Sequence, residues 1–231
     1  MTIDDRAAPA APSVVSLDAR GDTKAVVLVL PGGRADSFEA TDARQLTAVR
    51  MRPLARHLHR RVRQHGVAVW LVRYRYRGWN GPEMSPVPDA GWALDEVRRR
   101  HGDVPVVLVG HSMGGRTALR VAGDRSVGAV AALAPWLFDT EPTEQLDGRR
   151  VLIAHGDLDK VTSPAASRRY ADRAARVATV TYVAIRGDLH GMVLRWRTWH
   201  RLTTSFVLDV LGVQLPDDRG GSGKNPDVRR M

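Results

Sequence analysis

The chain has 231 residues, of which 43% are hydrophobic, and a formal net charge of +10. This length is enough for one large α/β domain with a well-covered sheet and too short for two such domains. The absence of cysteine excludes disulfides, thiolate metal sites and cysteine nucleophiles, and no apolar stretch is long enough to cross a bilayer.

Short β-branched runs alternate with helix-length amphipathic segments along most of the chain. The predicted strands are 25–30, 67–73, 106–109, 127–133, 151–154 and 178–184, with a possible edge strand at 14–17. The predicted helices are about 44–64, 89–101, 115–122, 164–174 and 192–210. Near-continuous apolar strands separated by helices predict a three-layer, doubly wound α/β fold with a mostly parallel sheet.

The pattern indicates a single domain over residues 13–215. Residues 1–12 and 216–231 are rich in Pro, Ala, Gly, Ser and Asp and are predicted to be mobile tails. The interval 134–150 is too short for a separate cap domain, so only a minimal lid, built from loops, is expected. In the last helix Val193, Trp196, Trp199, Leu202 and Phe206 fall on one stripe and are predicted to pack in the core.

The positive charge is attributed to an arginine-rich surface. Arginines recur at helical spacing between 52 and 63, opposite an apolar stripe, and no recognition motif accompanies them. We therefore expect neither nucleic acid nor a membrane as a partner, although the charge permits an anionic substrate. The first residues lack a secretory signal, so a cytoplasmic location is expected; the oligomeric state is not predicted.

The segment Gly110-His111-Ser112-Met113-Gly114-Gly115 follows an apolar strand and precedes a helix-compatible stretch. A serine that attacks a carbonyl must project from a strained strand-to-helix turn, and glycines two residues before and after it remove Cβ atoms that would clash. Ser112 is therefore the predicted nucleophile. Its neighbour His111 is expected to pack beside the site, because adjacent residues in a tight turn point apart.

A serine nucleophile requires an imidazole base and a carboxylate that orients the imidazole. His190 follows the predicted strand 178–184, and Asp157 and Asp159 follow the strand 151–154. Asp139, after the preceding strand, is a third possible acid, whereas Asp188 is too close to His190 to be favoured. No histidine or carboxylate cluster has the spacing of a metal site, so neither a metal nor a cofactor is predicted.

With nucleophile, acid and histidine in this order, the chain resembles the α/β-hydrolase superfamily over roughly residues 24–212. The resemblance implies that the acid stands three residues beyond a glycine, as Asp159 follows Gly156. It also implies a histidine three residues beyond a glycine, as His190 follows Gly187. The favoured triad is therefore Ser112, Asp159 and His190.

Acyl transfer also needs backbone N–H donors where negative charge develops on the carbonyl oxygen. The N–H of Met113 is one, because it opens the helix after the serine. The turn Leu30-Pro31-Gly32-Gly33-Arg34 resembles the His-Gly-x turn of the superfamily, with proline replacing histidine, and implies Gly33 as the second.

The sequence supports two hypotheses about function. The first is a cofactor-independent serine hydrolase that cleaves a small-molecule carboxylic ester or thioester through an acyl-enzyme. The second is a non-hydrolytic receptor or biosynthetic-pathway partner with the same fold, because fold does not fix function. An acyltransferase or peptidase would use the same triad.

Overall fold

The strands and helices alternate along the chain in a computed structural model that describes residues 11–41, 46–213 and 228–230. The strands are β1 (Ser13–Leu17), β2 (Ala25–Leu30), β3 (Val67–Arg73), β4 (Val106–His111), β5 (Val127–Leu133), β6 (Arg150–Gly156), β7 (Thr179–Ile185) and β8 (Val228–Arg230). The helices are α1 (Leu46–Val62), α2 (Pro86–His101), α3 (Met113–Arg120), α4 (Pro164–Ala174) and α5 (Trp196–Val210).

In the described residues, eight strands form one sheet in the order β1-β3-β2-β4-β5-β6-β7-β8. The six strands from β2 to β7 are parallel, and β1 and β8 pair antiparallel at the two edges. The inner strands β2 and β4 are buried along their whole length, which explains their continuous Val and Leu runs. The doubly wound, mostly parallel sheet is the predicted fold class.

The helices form two layers around this sheet. Helices α1 and α5 pack on one face, where Met51, Leu58 and Trp199 join a buried cluster. Helices α2, α3 and α4 pack on the other face, where Leu94 and Leu119 join a second cluster. Burying alternate strand residues in the two clusters leaves the strand-to-helix loops at the carboxyl edge of the sheet free to carry polar side chains.

Two sequence predictions need correction at the ends of the chain. The sequence predicts a mobile tail over residues 216–231, but residues 228–230 pair with Val183, Ala184 and Ile185 of β7. They form the strand at this edge of the sheet. Residues 1–10 and 214–227 lie outside the described residues. The last helix begins at Trp196 instead of 192, and both Val193 and Trp196 are exposed instead of packed in the core.

The late start of α5 has a local cause. The buried carboxylate of Asp188 accepts hydrogen bonds from the backbone N–H groups of Leu189, Leu194 and Arg195. Because these backbone N–H groups donate to the side chain of Asp188, they do not donate to carbonyl groups of a helix. The segment before Trp196 therefore forms a loop around Asp188.

Candidate functional site

Ser112 lies in the turn between β4 and α3 with φ of 56° and ψ of −119°. A positive φ is unfavourable for a residue with a side chain, and such strain is found at functional sites where the surrounding structure enforces it. Here the Ser112 N–H donates to the carbonyl of Leu133, and its carbonyl accepts from the N–H groups of Arg116 and Trp136. The turn is thereby tied to β5 as well as to its own helix.

Glycines make this turn possible. A Cβ at Gly110 would overlap the backbone carbonyl of Gly114, and a Cβ at Gly114 would overlap the carbonyl of Leu30. Both overlaps are with backbone atoms that cannot move aside. The glycine positions predicted from the sequence are therefore required by close backbone approach between β4, α3 and β2.

The structure brings together all three residues of the predicted triad, although they lie far apart in the sequence. Ser112 Oγ is 3.0 Å from His190 Nε2, and His190 Nδ1 is 2.8 Å from Asp159 Oδ2. Both distances are those of hydrogen bonds. The ring therefore connects the alcohol on one side to the carboxylate on the other.

Asp159 is held by donors on both carboxylate oxygens. Oδ1 accepts from the backbone N–H groups of Val161 and Thr162, at 2.8 and 3.0 Å. Oδ2 accepts from the Thr162 hydroxyl at 2.8 Å and contacts His155 Nε2 at 3.0 Å, besides His190. Burial acts to raise the pKa of Asp159, but the hydrogen bonds from His155, Thr162, His190 and Val161 outweigh it and hold the pKa well below its usual range. The carboxylate is thus charged at neutral pH.

The alternative acids of the sequence analysis have other partners. Asp157 accepts the N–H of Gly187 at 2.7 Å and so links the loops after β6 and β7. Asp139 forms an ion pair with Arg169 at 2.9 Å. Asp188 accepts from the indole N–H of Trp199 at 2.6 Å besides the backbone groups of its own loop. Among these carboxylates, Asp159 has the contact with His190.

Two buried histidines, His111 and His155, hold residues of the predicted triad in place through hydrogen bonds. Neither role was predicted from the sequence. His111 Nε2 donates to the carbonyl oxygen of His190 at 2.9 Å, and the two rings lie 4.9 Å apart between centroids. Burial, and next the nearby His190, lower the pKa of His111 to about 3, so its ring is neutral. His155 Nε2 donates to the carboxylate of Asp159, which can only accept, and Nδ1 contacts Ser167 Oγ at 2.9 Å.

Gly33 and Met113, the residues predicted to supply the oxyanion donors, lie against each other. A Cβ at Gly33 would overlap the side chain of Met113, so the turn after β2 is seated against the first residue of α3. In the same turn, a Cβ at Gly32 would stand 3.2 Å from the Cβ of Ser112. The first N–H of a helix has no acceptor within the helix, which makes the N–H of Met113 suited to an anion.

The loop after β3 is held in place by ion pairs and by packing. Arg75 and Arg77 form ion pairs with Asp89 and Glu39 at 2.5 and 2.6 Å. Trp79 of the same loop is buried in the core. Residues 134–149 contain one short turn of helix and no inserted domain, as the length of this interval predicts.

An aromatic cluster lies beside the turn that carries Ser112. The guanidinium of Arg116 lies 3.8 Å from the ring centroid of Trp79, 4.9 Å from that of Trp136 and 5.0 Å from that of Phe138. Arg116 also pairs with the buried Glu141 at 2.6 Å. Its charge is therefore balanced inside the protein, and the exposed side of Phe138 is the part of this cluster that faces solvent.

Two features are absent from the described residues. These residues contain no group of three or more His, Cys, Asp or Glu side chains arranged to hold a metal ion. None of their helices combines the length and the apolar character needed to cross a membrane.

The fold and the site together define an α/β protein with a serine, a histidine and an aspartate aligned at the carboxyl edge of a parallel sheet. The sequence profile of the alpha/beta hydrolase family matches residues 26–229, and the chain belongs to that family. No curated protein sequence matches the chain.

Solved structures share the fold at low sequence identity. An alpha-beta serine hydrolase homologue from Coxiella burnetii is 18% identical with a TM-score of 0.63, covering 85% of this chain and 91% of its own. A butyrate-bound thermophilic esterase from the Planctomycetes species Thermogutta terrifontis is 17% identical with a TM-score of 0.66, covering 89% and 91%. A serine hydrolase without lid from Xanthomonas campestris is 17% identical with a TM-score of 0.58, covering 89% and 90%. At these identities the similarity concerns the fold.

Proposed function

We propose that the protein is a serine hydrolase that cleaves a carboxylic ester or thioester through an acyl-enzyme, with no cofactor. The observation that carries the proposal is the continuous contact from Ser112 Oγ through the His190 ring to Asp159 Oδ2. Hydrogen-bonded nucleophile, base and orienting acid are what nucleophilic catalysis by serine requires.

In this mechanism His190 Nε2 takes the hydroxyl proton of Ser112 as Oγ bonds to the substrate carbonyl carbon. The N–H groups of Met113 and Gly33 stabilise the negative charge on the carbonyl oxygen. The leaving alcohol or thiol departs with the proton from His190, and water, activated by the same ring, then releases the acid. Asp159 holds the tautomer with the proton on Nδ1 and stabilises the charged ring.

The family membership and the likeness to an esterase and to a serine hydrolase homologue support this class of reaction. The exposed face of Phe138 and the lack of an inserted lid in residues 134–149 favour an apolar acyl group that enters from solvent. A small-molecule acyl substrate and a cytoplasmic location stay predictions from the sequence.

A fluorophosphonate probe tests the proposal directly, because it labels only a serine activated by its base. We expect one label per chain on Ser112 and loss of labelling in both Ser112→Ala and His190→Gln. The matched controls, Ser205→Ala and His65→Gln, change exposed residues outside the site and should label like the wild type.

The same variants should be assayed on an activated short-chain ester. We expect Ser112→Ala to lower turnover by several orders of magnitude, about 10⁴-fold or more. Folded protein that neither labels nor hydrolyses would favour the receptor hypothesis. Labelling with acyl transfer to an added alcohol or amine in place of hydrolysis would favour the acyltransferase.

A further inference from the structure

A second concave site lies between α1 and α5, on the helical layer that packs against one face of the sheet. The cavity has a volume of about 570 Å³, within the range of small-molecule sites. Five arginines contribute to its walls: Arg56, Arg60 and Arg61 from α1, and Arg197 and Arg201 from α5. No carboxylate lines it. We call this cavity the arginine groove.

The arginines of the groove differ from those elsewhere on the surface. Many arginines outside it form ion pairs, such as Arg98 with Asp124, Arg125 with Asp103 and Arg169 with Asp139. Within the described part of the chain, none of the five groove arginines forms an ion pair with a carboxylate. Among the described residues, no carboxylate therefore offsets the positive charge of these five side chains, and Arg197 has a cation–π contact with Trp196 at 5.2 Å.

Aromatic rings connect the two helices within the groove. His57 of α1 and His200 of α5 lie 5.1 Å apart between ring centroids, and Trp196 meets His200 edge to face at 5.3 Å. Burial is the main cause that lowers the pKa of both histidines. For His57, Arg61 and Arg60 add to the effect; for His200, His57 and Arg60 do so, and its pKa falls to about 4. Both histidine rings are neutral at neutral pH. The groove is therefore lined by the uncharged rings of His57, His200 and Trp196 together with the five arginine side chains.

We propose that the arginine groove binds a small anion that carries two or more adjacent phosphate groups. Guanidinium groups present planar forks of N–H donors that match phosphate oxygens. A single carboxylate or phosphate would leave most of the five charges unbalanced, whereas adjacent phosphates place several negative charges within a cavity of this size. The site is separate from Ser112 and does not depend on the proposed hydrolase activity.

Calorimetric titration with inorganic pyrophosphate, at constant ionic strength, tests the proposal on the full chain. We expect saturable binding at one site per chain, weakened about tenfold or more in Arg60→Ala/Arg201→Ala because two charged donors are lost. Arg60→Lys/Arg201→Lys keeps the charge but loses the forks and should bind with intermediate affinity.

The matched control is Arg125→Ala/Arg176→Ala, which removes the same charge from exposed positions outside the groove. It should bind pyrophosphate like the wild type. Equal weakening in the control, equal affinity for sulfate, tighter binding of a single-stranded oligonucleotide than of pyrophosphate, or no binding at all would each overturn the proposal. Ester hydrolysis by the groove variant should be unchanged, since neither arginine touches the site at Ser112.

Discussion

His155 Nε2 and His190 Nδ1 both contact the same oxygen of Asp159, at 3.0 and 2.8 Å. His155 is fully buried, and its other ring nitrogen contacts Ser167. Asp159, the acid of the proposed triad, therefore contacts two imidazoles. His190 also contacts Ser112, whereas His155 is fixed in the core. The buried ring acts on the reaction only through Asp159, which makes His155 a positioning residue.

Removing this buried donor should affect catalysis through the acid. In His155→Leu, Asp159 loses a hydrogen bond to a charged group, worth about 1.5–3 kcal/mol, so we expect kcat/KM to fall by about 10- to 100-fold. His155→Gln keeps an N–H near the position of Nε2 and should recover most of the activity.

Titration of active sites with the fluorophosphonate probe separates this role from a general loss of folding. In His155→Leu we expect kcat/KM per labelled site to fall, because the hydrogen bond from His155 fixes the carboxylate that orients His190. A lower fraction of labelled protein with unchanged kcat/KM per labelled site would contradict the positioning role.

The two carboxylates after β6 offer a matched pair of variants. Asp159→Asn should reduce kcat by about 10³- to 10⁴-fold, since an amide in this position favours the wrong tautomer of the histidine. Asp157→Asn alters a contact with the backbone of Gly187 and should keep activity within about tenfold of wild type. Steady-state kinetics on one ester decide the assignment, and a reversed order of the two effects would refute it.

The sequence predicted the parts of the site that depend on one chain segment at a time. The strand, the tight turn and the helix around Ser112 are encoded in adjacent residues, and the glycine offsets that resemble the family place Asp159 and His190. The three residues can meet because parallel strands end at the same edge of a sheet, so the loops that carry them lie side by side.

The supporting residues could not be predicted because their partners are fixed only by tertiary packing. Nothing in the sequence shows that Asp159, four residues after His155, turns back onto the ring of that histidine. Asp188 was set aside as an orienting acid, and its role in winding the loop before α5 depends on Trp199, which reaches it from the helix. The arginines of α1 were interpreted as a solvated face because the spacing within one helix does not reveal that α5 brings a second set beside them.

Acid pH should destabilise the protein well before the carboxylates titrate. The pKa of His200 is lowered from 6.5 to about 4 and that of His111 to about 3, so between about pH 4 and 6.5 the unfolded chain binds protons that the folded chain excludes. The contribution of these two histidines to the free energy of unfolding is therefore fully present above about pH 6.5. Below that pH the free energy of unfolding falls by about 1.4 kcal/mol per pH unit for each histidine.

Urea unfolding at pH 5 and pH 7 measures this dependence. His200→Gln removes one of the titrating groups, so the loss of unfolding free energy between these two pH values should be about 2 kcal/mol smaller than in the wild type. An identical pH dependence in the two proteins would show that His200 titrates alike in the folded and unfolded chain.

Gly114 in α3 and Gly128 in β5 should respond differently to an added methyl group. In Gly114→Ala the new Cβ would overlap the carbonyl of Leu30, so either α3 or β2 has to move and Ser112 moves with it. We expect a loss of about 3 kcal/mol or more of unfolding free energy and no fluorophosphonate labelling in the fraction that folds. Gly128 in β5 is exposed, and a Cβ there meets nothing within 4 Å. Gly128→Ala should therefore stay within about 1 kcal/mol of the wild type, with full labelling, because alanine restricts the unfolded chain without straining the strand. Normal labelling of Gly114→Ala would mean that the turn can hold its serine without the close approach of α3 to β2.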